Sequence, residues 1–85
     1  MSNEDLAALI QAGEADRLLD PFPRRLRELR QKRRISQRVL SELCGLSKNM
    51  IGRYEAGERL PSIDTAARLA DVLDTSMDWL CGRVS

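Results

Sequence analysis

The sequence predicts an all-α protein, and three observations lead to that prediction. Apolar residues recur at the three- and four-residue spacing of an amphipathic helix in successive segments of the chain. Serine, proline and glycine stand at the ends of these segments, where helices begin and stop. No stretch shows the two-residue alternation of a half-buried strand. A chain of 85 residues has room for one modest core, so we expect the main helices to pack together as one small domain.

An N-terminal helical extension is predicted over residues 1–20. Helix-forming residues and several leucines predominate there, although Gly13 weakens the middle of the segment. The run from Asp20 to Pro23 ends it, because each proline lacks an N–H donor and pushes the preceding residue out of helical geometry. We therefore place a boundary here, with the main domain at residues 21–85.

The main domain begins with a basic helix. Pro23 suits the first turn of a helix, and the pattern continues to about Arg33. Leu26 and Leu29 form the apolar stripe of this helix, while its other faces are rich in arginine. The stripe is expected to face the core and the arginines to face solvent or a ligand.

Two short helices follow, joined by a turn of only a few residues. Ser36 is a suitable N-cap for the first, from Gln37 to Cys44, and Gly45 can adopt the positive φ found at helix ends. Ser47 is predicted to cap the second, from Lys48 to Glu55. A pair of short helices with so brief a connection suits helix-turn-helix geometry.

Two further helices complete the predicted core. Ser62 caps a segment with apolar residues at helical spacing from Ile63 to Leu73. Thr75 or Ser76 starts a last short helix, and Gly82 follows its end. The sequence thus predicts five helices after residue 20.

The formal net charge of +1 hides a strong asymmetry along the chain. Residues 1–20 have one basic and five acidic side chains (net −4), residues 21–59 have eleven and four (+7), and residues 60–85 have two and four (−2). The middle third contains both short helices. It is therefore the predicted surface for a polyanion.

Composition argues against several other classes of protein. The chain has no histidine, and its two cysteines, Cys44 and Cys81, are far apart, so we expect no metal, no other cofactor and no disulfide scaffold. Acidic residues do not cluster near the basic region, which disfavours a metal-dependent nuclease and enzymes in general. No apolar run approaches the roughly 20 residues of a membrane helix. The N-terminus lacks the positive charge of a signal peptide, so we expect a cytoplasmic protein.

The residues around the predicted turn have the sizes that a helix-turn-helix needs. Ser41 is small where the two helices approach most closely, and Ile51 is apolar where the second helix meets the core. Gly52 departs from the expected pattern, because a glycine weakens the second helix by about 1 kcal/mol unless a close approach requires it.

Six short stretches occur in an order and at a spacing that are specific enough to compare with a known family: Leu26-Arg27-Glu28-Leu29-Arg30, Ile35-Ser36-Gln37, Leu46-Ser47, Ile51-Gly52-Arg53-Tyr54-Glu55-Ala56-Gly57, Pro61-Ser62 and Met77-Asp78-Trp79-Leu80-Cys81-Gly82. In these stretches the chain resembles the Cro/repressor (Xre) family of helix-turn-helix proteins, which includes the lambda-type phage repressors. The resemblance extends from about Pro23 to Gly82 and implies a five-helix, lambda repressor-like DNA-binding domain.

The resemblance also implies roles for individual residues, with residues 37–44 lying across the major groove and residues 48–55 entering it. It assigns base reading to Lys48, Asn49, Arg53 and Gln37, the last at a base edge or a nearby phosphate. It assigns phosphate contacts to Arg34, Ser36, Arg38, Ser47 and Arg59. The chemistry agrees, since arginine or lysine can donate to guanine and asparagine can pair with adenine. Arg30 and Glu55 are expected to form a structural ion pair.

The leading hypothesis is therefore a sequence-specific transcriptional regulator, of the phage-repressor type, that binds double-stranded operator DNA as a homodimer. The dimer seam is expected at Met77, Trp79, Leu80 and Val84 or at Leu6, Leu9 and Ile10, and the alternative for each is packing inside the monomer. The competing hypothesis is a protein-interaction module, antitoxin-like or an adaptor, with the same fold. The cations of the middle third argue against that module, and a protein antirepressor is a further candidate partner.

Overall fold

A computed structural model describes residues 21–84 as five α-helices, without a strand in that range. The helices are α1 (Phe22–Lys32), α2 (Gln37–Leu43), α3 (Met50–Glu55), α4 (Ile63–Val72) and α5 (Met77–Leu80). The predicted all-α class is confirmed, as is the number of helices after residue 20. The predicted N-terminal extension, residues 1–20, lies outside the described residues. Of the helices found between residues 21 and 84, none is long and apolar enough to cross a bilayer.

Serine side chains begin three of the helices. Ser36, Ser62 and Ser76 precede α2, α4 and α5, and each hydroxyl accepts the backbone N–H three residues later at 3.0 to 3.2 Å. Such caps satisfy an N–H that has no partner within the helix. Helix α1 instead has Pro21 as its N-cap and Pro23 in its first turn. All four starts agree with the prediction to within a residue or two.

The core lies where the inner faces of the five helices meet. Its fully buried side chains are Leu26, Leu40, Cys44, Ile51, Leu69, Leu73 and Leu80. At its edge the rings of Phe22 and Tyr54 meet edge to face, with centroids 6.0 Å apart. These residues come from all five helices and from the end of α2, so the core holds every element in place.

Two apolar side chains lie outside this core. Leu43 is 58% exposed, because Cys44 occupies the buried position at the end of α2. Ile63 was expected on the inner stripe of α4, and that prediction is wrong, since it is 76% exposed. The stripe is buried only from Ala66 onward, because no described element covers the first turn of α4.

Arg25 connects α1 to the C-terminal part of the domain. Its guanidinium lies over the ring of Trp79, 4.5 Å from the centroid, and donates to the carbonyls of Trp79 and Val84. Leu80, the next residue of α5, is fully buried. Leu80 therefore cannot contact a second subunit. Of the two roles expected for it, dimer contact and packing inside the monomer, the second is correct.

Candidate nucleic-acid interface

The helix-turn-helix consists of α2, α3 and residues 44–49 between them. Gly45 has a φ of +68°, a backbone conformation that glycine adopts without the penalty of a side chain. The N–H of Leu46 donates to the carbonyl of Ser41 at 2.8 Å and so satisfies one of the last carbonyls of α2. The glycine turn predicted from the sequence is confirmed.

The side chain that accepts an N–H in the first turn of α3 comes from the preceding helix and not from Ser47. The N–H of Ile51 donates to the hydroxyl of Ser41, which is fully buried in α2, at 3.4 Å. Helix α3 begins after Asn49 rather than at Lys48, and the Asn49 side chain makes no capping hydrogen bond. The predicted side-chain cap at Ser47 is therefore wrong, and the helix begins two residues later than predicted, because residues 48 and 49 form a turn before it.

The side chains assigned to bases in the sequence analysis are presented by two different local structures. Lys48 and Asn49 lie in the turn that leads into α3, and Arg53 lies within the helix. All three are exposed. Arg53 is on a helix whose other side is fixed in the core by Ile51 and Tyr54, and Lys48 and Asn49 immediately precede that helix. The fold thus holds these polar groups on a rigid support that faces outward.

Gln37, at the start of α2, lies against α3. Its Nε2 donates to the carboxylate of Glu55 at 3.2 Å. Its Oε1 lies 3.2 Å from the position that a Cβ on Gly52 would occupy. The absence of a side chain at Gly52 therefore leaves room for the Gln37 amide, and this is the close approach that justifies a glycine inside so short a helix.

The carboxylate of Glu55 is the centre of a buried polar network. Its side chain is 1% exposed and accepts from Arg30, with Nε at 2.6 Å and Nη2 at 3.1 Å. The guanidinium of Arg27 lies 3.5 Å away on the solvent side. The hydrogen bond to Glu55 raises the pKa of Arg30 above its usual value, so the guanidinium stays charged despite its burial.

This network joins α1, α2 and α3 at one point. Arg30 and Glu55 are the two residues that the family resemblance pairs. Arg27 and Gln37 also contact Glu55, and sequence reasoning did not find these contacts. No pattern of neighbouring residues in the sequence indicates either contact, because the partners come from separate helices.

The cations of the middle third fall into two groups. Six arginines have partners within the fold: Arg24, Arg25, Arg27, Arg30, Arg33 and Arg38. Five exposed cations make no side-chain hydrogen bond or ion pair with another residue between 21 and 84: Lys32, Arg34, Lys48, Arg53 and Arg59. Four of these five lie within the helix-turn-helix or just outside its ends.

The residues predicted to contact phosphates lie in α2, in the turn after it, or in the segments just before α2 and just after α3. Arg34 lies just before α2 with a φ of +56°, and Arg59 lies in the loop after α3; both are exposed. Ser47 is exposed in the turn, and Ser36 caps α2. Arg38 is 74% exposed and lies 3.4 Å from Glu42 on the next turn of α2, an exposed pair that a phosphate can replace.

Comparison with known proteins identifies the family. A family model described as helix-turn-helix matches residues 26–80, more than half of the chain. The chain belongs to the helix-turn-helix family. The match covers all of the six stretches on which the resemblance was based except the last two residues of the final one. The family expected from the sequence is therefore confirmed.

Curated relatives of this helix-turn-helix protein include two named regulators. It is 44% identical over 59 residues to the HTH-type transcriptional regulator AnsR of Bacillus subtilis, covering 69% of this chain and 51% of AnsR. It is 38% identical over 48 residues to the cryptic phage CTXphi transcriptional repressor RstR of Vibrio cholerae, covering 56% of this chain and 43% of RstR. The chain thus spans about half the length of these relatives or less.

A solved structure gives a fuller match to this helix-turn-helix protein. The restriction-modification controller protein C.AhdI from Aeromonas hydrophila superposes with a TM-score of 0.67 and 39% sequence identity. The match covers 73% of this chain and 94% of C.AhdI. Almost the whole of that small protein therefore corresponds to the helical domain of this one.

Proposed function

We propose that this helix-turn-helix protein is a sequence-specific transcriptional regulator that binds operator DNA through the major groove. The observation that carries the proposal is the distribution of cations among residues 21–84. Four exposed cations around α2 and α3 make no ion pair or side-chain hydrogen bond within that range, namely Arg34, Lys48, Arg53 and Arg59, and Arg38 makes only an exposed pair with Glu42. The other arginines of the middle third have partners in the fold. Exposed, unpaired cations beside an outward-facing helix suit binding to a chain of phosphates.

Base reading is assigned to α3 and the turn before it. Arg53 and Lys48 can donate to O6 and N7 of guanine, and the amide of Asn49 can pair with N6 and N7 of adenine. Gln37 has one amide hydrogen committed to Glu55, which leaves its second hydrogen and its Oε1 for a base or a nearby phosphate.

Phosphate contacts are assigned to the residues on either side. Arg34, Arg38 and Arg59 supply charge, and the exposed hydroxyl of Ser47 supplies a hydrogen-bond donor. Ser36 already accepts the N–H of Val39, but its hydroxyl hydrogen remains available to a phosphate oxygen. These contacts would fix the register of the protein on the duplex without reading its sequence.

The proposal includes a homodimer acting in the cytoplasm as a repressor of the phage type, without catalytic activity. A two-fold dimer would place its two copies of α3 in successive major grooves, about 34 to 36 Å apart. Two copies would also double the number of phosphate contacts, which strengthens binding and its dependence on salt. RstR, a phage repressor by name, supports the repressor assignment by similarity.

Selection of bound duplexes from a random pool is the experiment that tests this function. The enriched sequence is expected to contain two related half-sites, and its affinity should fall steeply as salt rises from about 50 to 200 mM. A chain that enriches no sequence and binds duplex DNA at neither salt concentration would overturn the proposal. The protein-interaction module would then be the better hypothesis.

Alanine substitutions then separate base reading from phosphate binding. Arg53→Ala and Asn49→Ala are each expected to reduce the preference for the selected operator over random DNA by about 5- to 150-fold, the equivalent of one bidentate contact. Arg38→Ala is expected to weaken binding to both DNAs by the same factor. Affinities on both DNAs at one salt concentration provide the measurement. Three variants with the same effect on both DNAs would show that the base-reading assignments are wrong.

Substitution of Gly52 by alanine tests the position of Gln37. The new methyl group would lie 3.2 Å from Oε1 of Gln37, so the amide has to shift. We expect weaker operator binding but a free energy of unfolding that changes by no more than about 1 kcal/mol, since alanine also favours the helix.

The control for this prediction is the double variant Gly52→Ala, Gln37→Ala. It is expected to bind as the Gln37→Ala variant does, because the methyl group then has no amide to displace. A further loss of affinity in the double variant would mean that Gly52 acts through the DNA or the backbone instead.

A further inference from the structure

Arg34 is one of two residues other than glycine that have a positive φ between residues 21 and 84. Its φ is +56°, and that of Asp74 is +52°. In this left-handed region the Cβ of an L-residue lies too close to a neighbouring carbonyl oxygen, and glycine alone escapes the penalty. Each of the two residues therefore holds the backbone in a conformation that glycine would adopt at lower energy.

The same turn occurs at both positions. Arg34 follows the end of α1, and Asp74 follows the end of α4. The N–H of the next residue donates to a carbonyl in the last turn of the helix, over 3.3 Å from Ile35 after α1 and over 2.9 Å from Thr75 after α4. Glycine is the usual residue at this point of a helix end. Neither turn thus requires the side chain that it carries.

Aspartate has a reason to occupy such a turn that arginine lacks. Its short polar side chain can hydrogen-bond locally, so it enters the left-handed region more readily than most residues. The carboxylate of Asp74 also lies 3.8 Å from Arg33. Arg34 is exposed, and its side chain makes no hydrogen bond or ion pair with another residue between 21 and 84. The described part of the fold therefore has no contact with the Arg34 side chain that offsets its strain.

Arg30 holds the strained turn in place. Its Nη1 donates to the carbonyl of Ile35 at 2.8 Å, while its Nε and Nη2 donate to the buried carboxylate of Glu55. The residue after Arg34 is thus fixed to the network that joins α1, α2 and α3. Strained backbone persists where the surrounding structure determines it, and such positions cluster at functional sites.

We infer that Arg34 is an anchor for a DNA phosphate that the fold keeps in a strained conformation, so that Arg34→Gly would give a more stable protein that binds DNA less well. The inference rests on the proposed function, in which Arg34 is one of several phosphate contacts, and adds that the fold itself does not need this arginine. Arg34 lies two residues before Ser36, the cap of α2. A cation on so fixed a backbone loses less freedom on binding than one on a mobile loop.

Thermal unfolding and DNA binding of Arg34→Gly in the full chain test the inference. The melting temperature is expected to rise by roughly 2 to 8 °C, because the relief of strain exceeds the added entropy of an unfolded chain with one more glycine. Affinity for the selected operator and for random DNA should fall by the same factor, about 2- to 5-fold for each bound copy, as for an exposed ion pair.

The salt dependence of binding provides a readout that a purely structural role would not change. The slope of log affinity against log salt concentration is expected to become shallower by about 0.9 for each bound copy, which is the loss of one phosphate contact. Titrations of both DNAs at several salt concentrations between about 50 and 200 mM give this slope.

Two further variants serve as controls. Asp74→Gly makes the matched change in the other turn, and it should leave the salt slope unchanged because it removes no cation. Its melting temperature should not fall, since glycine suits the turn and the exposed pair with Arg33 contributes little. Arg34→Lys keeps both the charge and the strain, so its melting temperature and its salt slope should match those of the wild type.

The outcomes separate this inference from the proposed function. If the wild type binds its operator and Arg34→Gly has the same salt slope, Arg34 is not an anchor, although the proposed function stands. If Arg34→Gly unfolds at a lower temperature than the wild type, the arginine serves the fold and the inference is overturned as well. A wild type that binds duplex DNA at no salt concentration would remove the proposed function, and the inference with it.

Discussion

Replacement of Glu55 by alanine is expected to destabilise the protein by about 3 to 5 kcal/mol, because it leaves a buried charge without its partner. The side chain of Arg30 is only 13% exposed, and its Nε would lose its acceptor. The amide of Gln37 would lose its partner as well. Domains of this kind are stable by roughly 5 to 15 kcal/mol, so the loss is a large fraction of the total. Urea unfolding followed by circular dichroism is the measurement.

An exposed ion pair within α1, the helix that contains Arg30, provides the control for this prediction. Arg24 and Glu28 lie 4.0 Å apart with side chains 68% and 56% exposed. Arg24→Ala is expected to change the free energy of unfolding by no more than about 0.5 kcal/mol. If Glu55→Ala were as mild as Arg24→Ala, the network at Glu55 could not be what holds α1, α2 and α3 together.

Replacement of Ser41 by leucine is expected to cost about 2 to 6 kcal/mol through two separate effects. Ser41 is fully buried where α2 and α3 meet, so a larger side chain forces the helices apart, at about 1 to 3 kcal/mol. The N–H of Ile51 also loses its acceptor, at a similar cost. Because the helix pair itself is displaced, operator binding should be lost even in the fraction of molecules that remain folded. Urea unfolding and binding to the selected operator measure the two effects.

Ser41→Ala separates the two effects, because it removes the hydroxyl without adding volume. We expect a loss of about 1 to 3 kcal/mol, from the unsatisfied N–H of Ile51, and an operator affinity close to that of the wild type. Wild-type stability in both variants would contradict the view that the Ser41 hydroxyl caps α3 and that the helix pair is tightly packed there.

Some of the interface followed from short-range patterns in the sequence. Helix periodicity placed Leu40 and Ile51 in the core, and a serine before an apolar run placed the start of α2 at Ser36. Gly45 identified the turn, because few other residues adopt its φ without strain. These features depend on residues within one or two helical turns of each other, and a sequence shows such neighbours directly.

Other features of the same interface involve residues that are distant in the chain. The start of α3 was placed two residues early because Ser47 has the side chain of a cap, while the hydroxyl that accepts an N–H of the first turn belongs to Ser41 in the neighbouring helix. The position of Gln37 depends on the space at Gly52 and on the carboxylate of Glu55. The partners come from different helices, so only the packing of those helices brings them together.

The sequence by itself determined the helices, the turn, the family and the sign of the charge on the middle third. The tertiary structure decided which cations are engaged by the fold and which remain available, and which apolar side chains face outward. Ile63 illustrates the difference, since periodicity places it on the inner stripe of α4 but no described element covers that turn. The physical reason is that periodicity fixes the direction of a side chain relative to its own helix, whereas burial and pairing depend on what the other helices place opposite it.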